Sequence, residues 1–141
     1  MSSTGHIKIQ AVLENLQAII DCVTAAASAA GFSALRIGDM ELAVEEAVTN
    51  VFKYASPANP GEIEVTCVSG GGKFSIEIRD SGKEFDMTKL PDPDLSLDIS
   101  ERPIGGLGAY LIKKTADDVT YRRLLGINVL TLVFNSEIKK Q

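Results

Sequence analysis

The chain has 141 residues, of which 45% are hydrophobic and 23% are charged, which is enough for one domain with a buried core. Its net charge of −5 argues against non-specific nucleic-acid binding, because such binding depends on a basic surface. The N-terminal sequence lacks the basic and apolar regions of a signal peptide, and no apolar run approaches the length of a membrane span. We therefore expect a cytoplasmic protein without direct nucleic-acid or membrane contact.

The first part of the chain predicts one strand followed by two helices. Residues His6–Leu13 alternate between apolar and polar side chains, which is typical of a half-buried strand. Asn15 stands where it could cap a helix that runs to about Ala30 and stops at Gly31. Ser33 stands where it could cap the next helix.

The second helix carries the stretch Met40–Ala55, around which the rest of the chain is organised, and we expect it to end near Tyr54. Gly38 lowers helix propensity by about 1 kcal/mol, so the first turns are expected to be irregular. An apolar stripe predicts the buried face of this helix, namely Leu42, Ala43, Ala47, Val48 and Val51.

Glu46 and Asn50 lie four residues apart, on one face of this helix and one turn from each other. A carboxylate that can take a proton, next to an amide oxygen that can hold a hard cation, suits a magnesium–nucleotide site. An isolated pair with this spacing is more often two solvated polar residues. The interpretation of this pair therefore depends on motifs further along the chain.

The second part of the chain predicts two hairpins, separated by a loop and a helix. Glu62–Val68 and a strand that ends at Asp80 alternate with period two on either side of a turn at Gly70–Gly72. Val119–Leu125 and Asn128–Phe134 predict a closing hairpin that turns at the glycine between them.

The segment between the hairpins contains Lys89–Pro103, with three prolines, four acidic residues and no clear periodicity. Such long loops are usually functional lids or disordered segments. Gly105–Gly108 then opens a helix, Ala109–Thr115. Together these elements predict a single domain over residues 1–141, with an α/β (α+β) two-layer sandwich in which helices cover one face of a mostly antiparallel, mixed sheet.

A second motif, Asp80-Ser-Gly82-Lys-Glu-Phe85-Asp86, follows directly after a strand. A carboxylate at a strand end can accept a hydrogen bond from an exocyclic amine such as that of adenine. Gly82 would let a ring approach the backbone closely. Taken alone, the same residues are more often a plain strand-end turn.

A third motif, Gly105-Gly106-Leu107-Gly108, opens a helix after the long loop. Glycines at that position leave backbone N–H groups free to point at phosphate oxygens, and a helix N-terminus favours negative charge. The motif lacks the third glycine of a dinucleotide fingerprint and does not directly follow a strand, which excludes a Rossmann site.

In this order and at these separations, the three motifs resemble the ATP-binding boxes of the GHKL (Bergerat-fold) superfamily, which includes gyrase, Hsp90, histidine kinases and MutL. The segments E-E-A-V-T-N, D-S-G-K-E-F-D and G-G-L-G-A-Y-L, with D-D-V soon after, look most similar to anti-sigma factor serine/threonine kinases of the partner-switching type. The resemblance extends from His6 to Phe134.

The resemblance implies a role for each matching residue. Glu46 would be the general base, Asn50 would hold Mg²⁺ through its amide oxygen, and Asp80 would read the adenine amine. Gly82 would line the base pocket, and Lys89–Pro103 would form the ATP lid. The remaining candidates for nucleotide binding are Phe85, Arg102, Gly105, Gly106, Leu107, Gly108 and Asn128.

Within that set, the resemblance places Gly106 and Gly108 under the phosphates. Arg102 is a candidate for contact with the γ-phosphate or for partner docking. Two positions depart from the family pattern. Tyr54 stands where the family often has His, and Asn128 stands where it often has a Thr near the adenine.

Kinases of this type bind Mg-ATP and transfer its γ-phosphoryl group to a serine or threonine of a STAS-domain anti-anti-sigma protein, and they sequester a sigma factor. The resemblance therefore implies ATP and Mg²⁺ as ligands and these two proteins as partners. Family members are often homodimers, and the first strand and helices could supply that interface.

Other functions share parts of the pattern. An ATP-binding regulatory module could sequester a partner with little kinase activity, and a partner-switch kinase could regulate a target other than a sigma factor. A histidine-kinase catalytic domain would need a phosphoacceptor histidine on a helix pair, whereas His6 lies in a predicted strand. An ATPase-gated machine like gyrase or MutL would need a transducer domain.

Overall fold

The computed structural model describes residues 2–55, 60–94, 96 and 106–136. The described strands and α-helices are, in chain order, β1 (Ser2–Gln10), α1 (Leu16–Ala29), α2 (Ala34–Asn50), β2 (Glu62–Gly70), β3 (Lys73–Asp80), α3 (Gly106–Thr115), β4 (Asp118–Leu124) and β5 (Ile127–Asn135).

One sheet contains all five described strands, in the order β1-β2-β3-β5-β4. Each neighbouring pair is antiparallel, so the expectation of a mixed sheet is wrong for these strands. Two of the pairs are consecutive hairpins, whose turns contain Gly71–Gly72 and Leu125–Gly126, all with positive φ. Tight turns of this kind reverse the chain, whereas a parallel neighbour would need a long crossover.

The hydrophobic core lies between the sheet and the helices. Every second side chain of β2 and β3 is almost fully buried, as with Ile63, Val65, Phe74, Ile76 and Ile78. This alternation confirms both predicted strands and the two-layer α+β sandwich with its helices on one face.

The first helix, α1, begins and ends within about one residue of its prediction. Asn15 precedes it but does not cap it through its side chain, because Nδ2 instead donates to the Gln10 carbonyl at 2.9 Å. The helix stops before Gly31, whose φ of +89° is a conformation that glycine adopts without strain.

The second helix, α2, is capped as predicted, since Ser33 Oγ accepts a hydrogen bond from the Arg36 N–H at 3.2 Å. Gly38 lies inside the regular helix, so the expected irregularity is wrong. The α-helix ends at Asn50, and a single π-helical turn, Val51–Ala55, continues it through the predicted end. Such turns occur frequently at functional sites.

The buried stripe of α2 is shifted from its prediction. Leu42 is 36% exposed, so its assignment to the core is wrong. The helical spacing instead selects a stripe that begins two residues earlier and excludes position 42. Its members are Met40, Ala43, Val44, Ala47, Val48 and Val51.

The glycine-rich motif and the closing hairpin also adopt their predicted forms. The third helix begins at Gly106, inside the predicted motif, and β4 and β5 form the closing hairpin. Among the described residues, no helix combines the length and apolar character that crossing a membrane requires.

Candidate functional site

A pocket opens between the C-terminal half of α2 and the ends of β3, β4 and β5. Its cavity volume is only about 20 Å³, and the space between the protein atoms reaches about 350 Å³ when open solvent at the mouth is included. Polar side chains contribute at a few points, and most of the lining is apolar, a composition that suits a planar organic ring. The apolar lining consists of Ala47, Val51, Ile78, Phe85, Met87 and Leu130.

Asp80 lies at the end of β3 and borders this pocket. Its side chain is buried, and its Oδ2 atom accepts hydrogen bonds from the Gly82 N–H at 2.9 Å and from Asn128 Nδ2 at 3.2 Å. Burial raises the pKa of this carboxyl, while the two hydrogen bonds and the nearby Arg123 charge partly oppose that shift. Among the described residues Oδ1 has no hydrogen-bond partner, which leaves an acceptor for a ligand donor.

The residues after Asp80 shape the same end of the pocket. Phe85 lines it, whereas Gly82 contributes through its backbone, by holding Asp80 Oδ2 and by accepting a hydrogen bond from Arg123 Nη1 at 2.8 Å. Met87 lines the pocket from a 3₁₀ turn, Met87–Lys89, which Asp86 caps.

Asn128 lies directly opposite Asp80 in the pairing of β3 with β5, and it lines the pocket as well. Asn128 therefore lies in the pocket, as predicted, but its amide already forms hydrogen bonds with other residues of the protein. Tyr121, which sequence reasoning missed, lines the pocket from β4 and donates to Asn128 Oδ1 at 2.5 Å. The period-two pattern of β4, which places Tyr121 on the same face as Val119, was a signal that could have identified it.

Glu46 and Asn50 lie where α3 begins. A Cβ atom added to Gly108 would come within 2.7 Å of Glu46 Oε1 and 3.7 Å of Asn50 Nδ2. The first turn of α3 therefore packs directly on both side chains, and a larger residue at position 108 would displace the Glu46 carboxylate. Backbone N–H groups in the first turn of a helix have no partner within the helix, so they are available to an anion at this point.

Asn50 connects the two parts of the site. It lines the pocket that Asp80 borders, and it also lies next to Gly108 and Glu46. Glu46 itself is half-buried and does not line that pocket. Burial is the main cause that raises the pKa of Glu46, the Glu45 charge adds to the shift, and the Lys53 charge opposes it. A carboxyl with a raised pKa is suited to taking up a proton.

The residues present suit a nucleotide and its cation. Asn50 is only 8% exposed, and its Nδ2 atom is buried without a hydrogen-bond partner in the described part of the chain. A buried amide of this kind costs free energy unless a ligand completes it. Rotation of the amide by 180° would present its oxygen at the same place, so the position suits either a phosphate oxygen or a hard cation.

Several predicted site residues contribute differently or lie elsewhere. Arg102 and Gly105 are outside the described residues, as is most of the predicted lid, of which residues 89–94 and 96 are described. Leu107 is 37% exposed and does not line the pocket. The start of the lid is held to α3, because Lys113 Nζ donates to the Leu90 carbonyl at 3.1 Å.

Comparison with known proteins places the chain in a family. The family model of the histidine kinase-like ATPase domain matches residues 9–134. The serine-protein kinase RsbW of Bacillus cereus (strain AH187) is 31% identical over 129 residues, which make up 89% of this chain and 81% of that protein. The serine-protein kinase RsbW of Listeria monocytogenes is 34% identical over 116 residues, or 79% of this chain and 74% of that protein.

A solved structure has the same architecture. The chain is similar to the crystal structure of the RsbU and RsbW domains of a Mycobacterium tuberculosis protein, with a TM-score of 0.62 and 16% sequence identity. The match covers 96% of this chain and 32% of that chain, so this chain spans about a third of the solved protein. At this identity the likeness concerns the fold.

Proposed function

This chain belongs to the histidine kinase-like ATPase domain family and is a serine/threonine protein kinase of the RsbW type, and from that premise we propose that it is an anti-sigma factor that phosphorylates a STAS-domain anti-anti-sigma protein. ATP is the phosphoryl donor in this proposal, and the unphosphorylated STAS-domain protein competes with a sigma factor for the kinase. The reaction takes place in one domain, residues 1–141, in the cytoplasm.

One observation carries the proposal. The glycine at the start of α3 lies against Glu46 and against the unpaired, buried amide of Asn50. A candidate base, a candidate ligand for phosphate or metal, and a helix N-terminus therefore meet at one point. Because Asn50 also lines the pocket that Asp80 borders, this point lies next to a cleft suited to the purine ring of a nucleotide.

The proposed roles follow from these positions. Asp80 Oδ1 accepts a hydrogen bond from the adenine amine, and the N–H groups at the start of α3 bind phosphate oxygens. Glu46 takes the proton of the substrate hydroxyl as that oxygen bonds to the γ-phosphorus and the bond to the β–γ bridging oxygen breaks, with ADP as the leaving group. The protein contributes mainly position and charge.

Asn50 is the residue that would hold Mg²⁺, together with phosphate oxygens of the substrate. The cation would supply neutralisation of the charge that develops on those oxygens. Phe85 packs on the base in this proposal, and Gly82 and Asn128 support Asp80. Arg102, Gly105, Gly106, Leu107 and Gly108 complete the phosphate end, with Lys89–Pro103 as the lid. A homodimer is the proposed assembly, through the first strand and the helices.

Nucleotide binding is the first step to test. We expect ADP and ATP with Mg²⁺ to stabilise the protein against heat, with a gain of about 2.7 kcal/mol at a hundredfold excess over the dissociation constant. Thermal unfolding with ADP, ATP and GTP, with and without Mg²⁺, measures this. Equal stabilisation by GTP, or none by any nucleotide, would contradict the proposed pocket.

Phosphotransfer is tested by Glu46→Gln. We expect this variant to keep its affinity for ATP and to transfer label from γ-labelled ATP to a STAS-domain protein ~10²–10⁴-fold more slowly. Glu41→Gln is the matched control, because Glu41 is an exposed carboxylate on the same helix. A normal rate for Glu46→Gln would remove Glu46 as the base. A wild-type protein that binds ATP but labels none of the STAS-domain proteins from its own source would instead favour a module that sequesters its partner.

A further inference from the structure

Arg123 has no role in the proposed reaction, but it belongs to a polar network behind the Asp80 end of the pocket. The network connects β4, β5 and the loop after β3. Arg123 Nη1 donates to the Gly82 carbonyl at 2.8 Å and to Asn128 Oδ1 at 2.9 Å. Tyr121 donates to the same Oδ1 atom, and Asn128 Nδ2 donates to Asp80 Oδ2 and, at 2.9 Å, to the Lys83 carbonyl.

This network fixes which way the Asn128 amide points. A guanidinium group has donors only, so the amide atom next to Arg123 must be the oxygen. The Tyr121 hydroxyl is within hydrogen-bond distance of the same oxygen and donates its hydrogen to it. With Oδ1 held by two donors, Nδ2 is directed at Asp80 and Lys83, so both hydrogens of the amide are used.

The consequence for Asp80 is that its pocket-facing oxygen is an acceptor only. Oδ2 receives two hydrogen bonds from the protein, and the Arg123 charge favours the ionised carboxylate. Without Arg123, the Asn128 oxygen loses one of its two donors and Asp80 loses a nearby cation, so Asp80 takes up a proton more readily. Because Oδ2 accepts the Gly82 and Asn128 N–H groups, that proton lies on Oδ1. A protonated Oδ1 can donate, so the pocket would no longer demand a donor from its ligand.

We propose that Arg123 is a positioning residue that sets the base selectivity of the pocket, through the Asn128 amide, in favour of a 6-amino purine over a 6-keto purine. This inference rests on the proposed function, since it assumes that the pocket holds the purine of a nucleotide. Arg123 does not line the pocket and contacts no ligand in this proposal. A site that presents an acceptor to the ligand rejects a ligand that brings another acceptor to the same point, as guanine does with its keto oxygen.

The experiment compares ADP with GDP, each with Mg²⁺, by isothermal titration of the full chain. We expect the wild type to prefer ADP, and we expect Arg123→Met to lose about tenfold of that preference, the scale of one charged hydrogen bond. Arg122→Met is the matched control. It removes the same charge from the adjacent residue, whose exposed side chain lies 3.9 Å from Glu77 on the other face of the sheet, and its preference should equal that of the wild type.

Two further variants separate positioning from general support of the hairpin. Tyr121→Phe removes one donor to Asn128 Oδ1 and keeps the ring, so it should lose part of the preference for ADP over GDP. This variant also tests the inference if Arg123→Met does not fold. Arg123→Lys keeps the charge and should recover part of the preference that the Met variant loses.

The outcomes distinguish this inference from the proposed function. Equal loss of ADP and GDP affinity in Arg123→Met, with the ratio unchanged, would mean that Arg123 only stabilises the fold and would overturn the inference alone. An unchanged ratio in Tyr121→Phe would do the same. A wild type that binds neither nucleotide would overturn the proposed function and the inference with it.

Discussion

The two ends of α2 treat buried polar side chains in opposite ways. At the N-terminal end, Arg36 is fully buried and every contact is satisfied: its guanidinium bonds Asp39, Asp117 and two backbone carbonyls. It also lies 5.0 Å from the centre of the Phe134 ring. At the C-terminal end, the Asn50 amide nitrogen is also buried but has no partner among the described residues.

The difference indicates that the Arg36 end of α2 serves the fold and that the Asn50 end is available to a ligand. The Arg36 cluster joins the start of α2 to the ends of α3 and β5, so it closes the fold at one end of the molecule. The Asn50 end keeps a buried N–H donor that has no partner in the described part of the chain and that a ligand could complete. A protein tolerates such a group where binding compensates its cost. The comparison therefore predicts losses of stability at one end and losses of binding or catalysis at the other.

The largest effect on stability is expected for Arg36→Met. It leaves Asp117 without its buried cation, and breaking a buried ion pair costs about 3–5 kcal/mol. Unfolding in urea measures the loss. Arg122→Met is the control, since its exposed pair with Glu77 should contribute less than about 1 kcal/mol. Equal losses in both variants would remove the distinction between the two ends.

Gly108→Ala should act at the other end. The added methyl group would displace the Glu46 carboxylate, and misplacing a catalytic group can cost about 10²-fold in rate. Stability should change little, because the end of a flexible side chain can move. The control is Gly38→Ala, which meets nothing within 4 Å and should stabilise α2 by about 0.5–1 kcal/mol. Normal label transfer by Gly108→Ala would argue against the placement of Glu46.

Asn50→Leu should have the opposite effect to Arg36→Met, because it should impair binding and leave stability intact. Removing an unpaired buried amide should leave the unfolding free energy unchanged or raise it by about 1 kcal/mol, while the affinity for Mg-ADP falls about tenfold. Thr49→Val is the control, because the Thr49 hydroxyl bonds only to carbonyls of its own helix. Marked destabilisation by Asn50→Leu would show that the amide supports the fold.

The smallest effect is a pH dependence at Asp80. Its pKa is raised above the ordinary value of 3.8, so the folded protein holds this proton more tightly than the unfolded chain does. Stability from this group is therefore gained as pH falls through the raised pKa and lost as pH rises from 3.8 towards it. ADP binding should change in the opposite direction, since only the carboxylate accepts from the amine.

Unfolding in urea with and without ADP, across that pH range, measures both trends. Asp80→Asn should lack both, and Asp92→Asn, at an exposed position in the loop, should keep both. If stability and ADP binding depend on pH in Asp80→Asn as they do in the wild type, other groups cause that dependence.

Local patterns predicted most of the fold, because they depend on neighbouring residues. The alternation around Ile76 and the caps at Ser33 and Gly31 are signals of this type. The motifs also contain Asn50 and Asp80, which line one pocket, and Gly108, which lies against Glu46. Arg36 was missed because its partners Asp117 and Asn135 lie 81 and 99 residues further along the chain.

Two local assignments went wrong for a different reason. Leu42 was misplaced because adjacent apolar residues on a helix permit more than one stripe. Asn15 was misassigned because the Gln10 carbonyl competes for its side chain. The Asn128 network needs three elements to meet, so no single segment encodes it.

The pairing of Asp80 with Asn128 has a consequence for synthesis of the protein. The two residues belong to strands that are neighbours in the sheet but are separated along the chain by α3 and β4. When β3 has just emerged from the ribosome, Asp80 is present but Asn128, whose amide bonds its carboxylate, has not yet been synthesised. Under the proposed function, the ability to bind a purine would therefore arise late in translation, once the C-terminal hairpin has emerged and docked in register.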